Sequence, residues 1–332
     1  MKKHAKCLTA GLLLLVAAAA CTPHGDAVPE EILHYDTPGW AHDVALESGL
    51  LYVSDRQGGY VVLDRAQGGA APLTRAPVED VISLAPNSGS PLLAARYEGL
   101  VLVSGQGRVL ARVVLPDIAN AAVTRGSLGF GAYGLNGLLV LRIGEGELSI
   151  VSQLSTPGWS HDIKLWDDRA LLADWDYGMR VVDISRPELP VEIGALPSPA
   201  TAINISLGES GGKTMAAVAE GHGGVSIVSF DATGRPSLAA RHSLGLRSSD
   251  APHPEAGGWA HGVAWCGNYL FVANWKLGLA VLDVTDPRSP RVVRELPTPG
   301  TSLGVKAEKA ADGSILVYLA DGENGLRIFR FR

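Results

Sequence analysis

Apolar residues along this chain come in runs of four to seven, bounded by Gly, Asp, Asn and Pro. Val, Ile and Leu dominate the runs, which is the pattern of short strands buried on both faces. Downstream of the first twenty residues, no segment keeps the three-to-four spacing of an amphipathic helix. The runs recur with a period of about forty residues. Gly39-Trp40-Ala41-His42-Asp43-Val44 returns as Gly158-Trp159-Ser160-His161-Asp162-Ile163 and as Gly258-Trp259-Ala260-His261-Gly262-Val263. After each Trp comes an apolar run ending in a polar residue: Leu51 to Asp55, Ala170 to Asp174, Tyr269 to Asn274. A second run then follows a glycine: Gly59 to Asp64, Gly178 to Asp183, Gly278 to Asp283.

Weaker copies fill the gaps and give seven units, starting near residues 39, 77, 118, 158, 199, 258 and 300. Each reads as four short strands joined by tight turns. Seven such units predict an all-β fold, a seven-bladed β-propeller of four-stranded antiparallel blades. The chain stops just after the third strand of unit seven. The segment Glu31-Ile32-Leu33-His34-Tyr35, ahead of unit one, matches the fourth strands Val191 to Leu196 and Arg291 to Leu296. We therefore expect the N-terminal segment to complete the last blade, with the propeller spanning residues 31–332.

Residues 1–20 are expected to lie outside the fold. Lys2, Lys3 and Lys6 precede an apolar run, Leu8 to Ala20, too short to span a bilayer but suited to a signal peptide. Ala18-Ala19-Ala20-Cys21 resembles the lipobox of bacterial lipoproteins, which implies acylation at Cys21 and a short linker over 21–30. That resemblance implies a lipid-anchored cell-envelope protein, at the outer membrane; ordinary cleavage would instead leave a soluble periplasmic or secreted one. Loss of three lysines takes the net charge from −6 to −9. With no basic cluster, nucleic acid is not an expected partner. If Cys7 leaves and Cys21 is acylated, Cys266 stands alone and no intrachain disulfide forms. Beside Trp265, with no local cation, its thiol reads as a buried small apolar group.

Val181-Val182-Asp183-Ile184-Ser185-Arg186-Pro187 and Val281-Leu282-Asp283-Val284-Thr285-Asp286-Pro287 resemble the LVIVD repeat of bacterial and archaeal cell-surface proteins. The resemblance implies a propeller in the cell envelope and no settled activity.

Candidate chemistry is unevenly distributed. All seven Trp fall in units one, four and six, with the three Gly-Trp-x-His motifs. On a propeller, the start of the inner strand and the turn between the second and third strands share one face. Trp40, His42, Asp55, Trp159, His161, Asp174, Trp175, Asp176, Trp259, His261, Asn274 and Trp275 are thereby predicted to form a rim at the channel mouth. Two functions follow. A non-catalytic, monomeric scaffold would use the indoles and carboxylates to bind an envelope protein, peptide or glycan, with no cofactor. Alternatively, His42, His161 and His261 would ligate zinc or copper in a hydrolase, with Asp162 or Asp174 as base. The bland reading has each His hydrogen-bonding within its own blade or to the next. An insertion, Leu246 to Gly257, adds Asp250, His253 and Glu255 near the same rim. Trp166 and Trp265 are expected to pack at the opposite face.

Overall fold

The computed structural model describes residues 29–65, 72–75, 78–244 and 258–332, of which 72–75 as backbone alone. Residues 1–28, with Cys21, lie outside this set, as do Asp250, His253 and Glu255.

The described residues form seven four-stranded antiparallel sheets. Blade one comprises Asp43–Glu47, Leu50–Ser54, Tyr60–Asp64 and Pro72–Arg75, from the axis outward. The inner strands of blades two to six are Ser83–Ala85, Ala121–Arg125, Asp162–Trp166, Asn204–Ser210 and Gly262–Cys266. Blade seven combines Val305–Lys309, Ile315–Ala320 and Leu326–Phe331 with Glu30–Tyr35, so the two ends of the chain share one sheet. The expected closure is present.

Why continuous apolar runs make strands here follows from where the core sits. Each of seven hydrophobic clusters is shared by two neighbouring blades, so each blade buries both faces. Leu100–Val103 is buried at all four positions, and Tyr60–Asp64 at its first four. Alternation survives only on outer strands such as Arg291–Leu296. Every blade also shifts register in its outermost pair, for example between Val181 and Val182 and between Val281 and Leu282. A bulge at that place adds local twist, which lets a blade turn between axis and perimeter.

At the packing face opposite the rim, Trp265 is buried against the backbone of Gly208 and donates to Gly267 O at 2.9 Å. Trp166 lies tilted against Phe230 at 4.5 Å between centroids. Cys266 is buried, and that burial pushes its thiol pKa up. All three behave as the sequence suggested.

A candidate binding rim at the channel mouth

The rim is built by a motif repeated at all seven seams. The turn after the second strand of each blade makes an isolated backbone bridge to the residue entering the next blade. The pairs are Arg56–Val81, Arg96–Ala119, Gly134–Ser160, Trp175–Ala202, Gly221–Ala260, Trp275–Ser302 and Gly322–Ala41. The turn residue sits at positive φ in every case, from 34° at Arg56 to 55° at Gly221 and Gly322. For bulky L-residues this left-handed conformation is strained, by about 1–3 kcal/mol. Trp175 and Trp275 nevertheless hold it at 50° and 51°.

The side chains explain the choice. Where the turn carries Gly134, Gly221 or Gly322, the next blade supplies Trp159, Trp259 or Trp40, and its indole lies against that glycine. Where the turn carries Arg56, Arg96, Trp175 or Trp275, the next blade supplies Asp80, Ile118, Thr201 or Thr301. Each seam therefore takes one long or aromatic side chain, delivered from one side or the other. The result is a face with five partly exposed indoles in an arc and two guanidiniums closing it. Asp80 holds both, at 2.9 Å from Arg56 Nε and 3.4 Å from Arg96 Nε.

Inside this arc the three predicted imidazoles converge. His42 and His261 stand 5.4 Å apart between ring centroids, and His161 and His261 6.3 Å. His161 stacks on Trp175 at 5.4 Å, and His261 lies tilted against Trp275 at 5.9 Å. Each imidazole is tied to the following blade: His42 Nδ1 to Ile82 O at 2.7 Å, His161 Nδ1 to Ile203 O at 2.9 Å, His261 Nδ1 to Leu303 O at 3.2 Å. A carbonyl only accepts, so Nδ1 carries the proton and donates, which leaves Nε2 of each ring with a free lone pair. The inter-blade alternative is the observed one. At the equivalent place in blade three, Asn120 Nδ2 donates to Ser160 O at 2.9 Å, a member of this set that carries an amide in place of an imidazole.

The three rings are half-buried, and the desolvation they suffer there lowers the pKa of each. Desolvation lowers the pKa of His42 to about 3, helped by His161, Arg56 and Arg96 and opposed by the Ile82 carbonyl. His161 is lowered for the same first reason, with Asp162 opposing, and His261 is lowered well below the ordinary value. An unfolded His takes up its proton near pH 6.5, so the folded state loses stability as pH falls below that value toward 3. We expect His42→Asn, which keeps a donor for Ile82 O, to remove about 1.4 kcal/mol per pH unit of this acid sensitivity. Urea denaturation of both proteins from pH 7.5 to 4.5 measures it; parallel pH profiles would show that His42 is not buried neutral.

The carboxylates and the one carboxamide predicted for the rim fall into two groups. Asp176 is exposed, in the turn beside Trp175. Asp55, Asp174 and Asn274 are sealed, at 0%, 0% and 1% exposure. Asp174 accepts from Thr156 Oγ1 at 2.6 Å, Ser160 Oγ at 2.9 Å and Gly158 N at 3.0 Å, with Arg180 Nε 3.5 Å away. Asp55 likewise accepts from Gly39 N at 2.8 Å. Asp55 and Asp174 pin the Thr-Pro-Gly loops that enter blades one and four, and Asp174 has no access to a substrate. Asp162 lies one layer below the imidazoles with Lys164 Nζ 2.6 Å from both oxygens. Among the described residues, no group of three or more His, Cys, Asp or Glu is arranged to hold a metal ion.

The LVIVD-repeat family model matches residues 38–64, 157–196 and 257–298, the stretches that contain every Trp of the chain. No curated protein matches significantly. Among solved structures, the chain is similar to the WD40 repeats of RRP9, at 12% identity and a TM-score of 0.71, covering 94% of this chain and 99% of that one. It is similar to the Cps50 (Swd1) propeller domain of Myceliophteria thermophila, at 14% and 0.67, covering 89% and 98%. BamB from Moraxella catarrhalis is similar too, at 14% and 0.61, covering 92% and 100%. At these identities the likeness shows the fold.

Proposed function

We propose, from the premise that this chain is an LVIVD-repeat β-propeller, that it is a non-catalytic binding scaffold of the bacterial cell envelope. In this reading Cys21 tethers it by a lipid anchor, and the channel-mouth rim engages an envelope protein, peptide or glycan. The observation that carries the reading is the arc of five indoles on one face. Two of them, Trp175 and Trp275, keep a strained turn that glycine serves in three other blades. Flat apolar rings beside the Asp176 carboxylate suit sugar faces or the side chains of a partner.

Peptide and glycan arrays probed with the mature protein test this. Trp175→Gly and Trp275→Gly relieve the positive φ but leave the seam to Thr201 or Thr301, so their melting is compared with the parent's before binding is read. Each should weaken a detected ligand about tenfold or more, as central aromatic contacts do. Unchanged binding would reduce the indoles to seam packing.

A second reading takes the three imidazoles as ligands for zinc or copper in a hydrolase. The Nδ1–H tether on each ring favours it, because ligating histidines hold their other nitrogen in this way. It also requires Asp162 to act as base while the Lys164 ammonium engages both its oxygens.

A further inference from the structure

We propose that the seam between blades seven and one is a binding pocket for a medium-chain fatty carboxylate, its alkyl chain within the seam and its head on Arg330. The pocket is not part of the rim. Arg65, which lines it, donates its backbone N–H to Gly49 O in the turn between first and second strands, at the opposite face. The inference therefore stands apart from the rim-binding reading.

The seam contains room. Leu33, Leu316 and Ile328 of blade seven and Leu51 and Leu63 of blade one line a cavity of about 230 Å³. Ile32, 37% exposed at the register shift of the closing strand, lines its open side. The repeat shows why this seam is underfilled. Six residues after the glycine that opens the third strand, blades five and seven carry Phe230 and Phe331. Those rings pack on the preceding blade, against Trp166 at 4.5 Å and Phe271 at 5.1 Å. Blade one has Arg65 at this place, and its guanidinium pairs with Glu308 and lies over the Tyr318 ring at 5.4 Å.

Charge selects the head group. Five residues after the same glycine, blades one, four and six carry Asp64, Asp183 and Asp283, whereas blade seven carries Arg330. Arg330 lines the cavity, and its Nε is buried with no hydrogen-bond partner among the described residues. The neighbouring acids are engaged elsewhere. Glu308 accepts from Arg65 and from Tyr318 Oη at 2.9 Å. Glu30, opposite Arg330 in the ladder, pairs with Arg332 at 3.7 Å, and Asp312 accepts from Ser314 N at 3.0 Å. A buried guanidinium donor left without an acceptor is costly, and a carboxylate is the acceptor that suits it best.

Size sets the chain length. An apolar cavity of about 150 Å³ takes a benzene ring, and in proportion this one takes about nine carbons. Polar groups line only its edge, so a long alkyl chain is a better occupant than water.

Isothermal titration calorimetry of the full mature protein tests the proposal with octanoate, hexanoate, 1-octanol and octylammonium. We expect one saturable site for octanoate and about tenfold weaker binding of hexanoate, which buries two fewer methylenes. Octanol and octylammonium, which offer no carboxylate, should bind at least about tenfold more weakly than octanoate. Arg330→Gln should weaken octanoate about tenfold and leave octanol unchanged, while Ile32→Trp, at an exposed position, should block both. Either variant suffices if it melts with the parent. No saturable octanoate binding, equal affinity for octanoate and octylammonium, or binding unchanged in both variants overturns the proposal. Octanoate binding that appears only in Cys21→Ser would assign the pocket to the chain's own acyl group and overturn the free carboxylate.

Discussion

Deletion of residues 30–35 is expected to cost more than about 5 kcal/mol, or to abolish cooperative unfolding altogether. These residues form the outer strand of blade seven, in register from Glu30↔Arg330 to Tyr35↔Leu326. Leu33 and Tyr35 pack into the cluster that joins blades seven and one. Without them, Leu326–Phe331 becomes an open edge whose backbone donors and acceptors lose their partners, and the seam loses apolar cover. The strand also carries Glu31, whose oxygens accept from Arg327 Nη1 at 2.8 and 3.0 Å across 296 residues of sequence. Arg327 is only 8% exposed, so its charge would be left with one partner. For a chain of this size, 5 kcal/mol corresponds to a fall in Tm of about 10 °C or more. Calorimetry decides it, and a deletion that melts with the full chain would show that the ring holds without its clasp.

Asp321→Ala is expected to cost about 3–5 kcal/mol, the range for removing one partner from a buried ion pair. Asp321 is fully buried and gathers four donors: Thr298 Oγ1 at 2.6 Å, Ser302 Oγ at 2.9 Å, Gly300 N at 3.1 Å and Arg327 Nε at 3.0 Å. Alanine would strand all four and an almost buried guanidinium. Asp174 in blade four repeats the arrangement, but Arg180 stands farther off, at 3.5 Å. Asp174→Ala should therefore cost less than Asp321→Ala, and the exposed Asp176→Ala within about 0.5 kcal/mol of nothing. Urea denaturation of the three variants gives the order. If Asp174 and Asp176 prove equal, the carboxylate does not pin the loop.

These buried polar groups mark a boundary of sequence reading. Asp55, Asp174 and Asn274 belong to the turn that forms the rim, and topology places their backbones there correctly. Which way each side chain points depends on the loop arriving from the preceding blade. Thr156-Pro157-Gly158 presents a backbone N–H and a hydroxyl to Asp174, and the carboxyl turns inward to them. The signal was available as Thr-Pro-Gly followed by an acid 18 residues after the threonine. Its meaning needs the loop and the turn to be neighbours in space.

The indoles teach the same point. Sequence alone separates Trp40, Trp159 and Trp259, which precede inner strands, from Trp175 and Trp275, which sit in turns. In the folded ring all five occupy equivalent seams, because a turn of one blade and the entry of the next fill a single gap.

What the sequence by itself determined is the repeat, the four strands in each unit, the number of blades and the closure of the ring by residues 31 to 35. These rest on local patterns: runs of apolar residues sized for short strands, and turns punctuated by glycine. Only the tertiary structure decided which side chains share a seam, that His42, His161 and His261 line one cavity, and that Asp174 is sealed while Asp176 is exposed. Those facts join residues separated along the chain, from Ser160 and Asp174 in neighbouring loop and turn to His42 and His261 in different blades. Curvature and closure of the ring bring them within a few ångströms, which no pattern along the chain expresses.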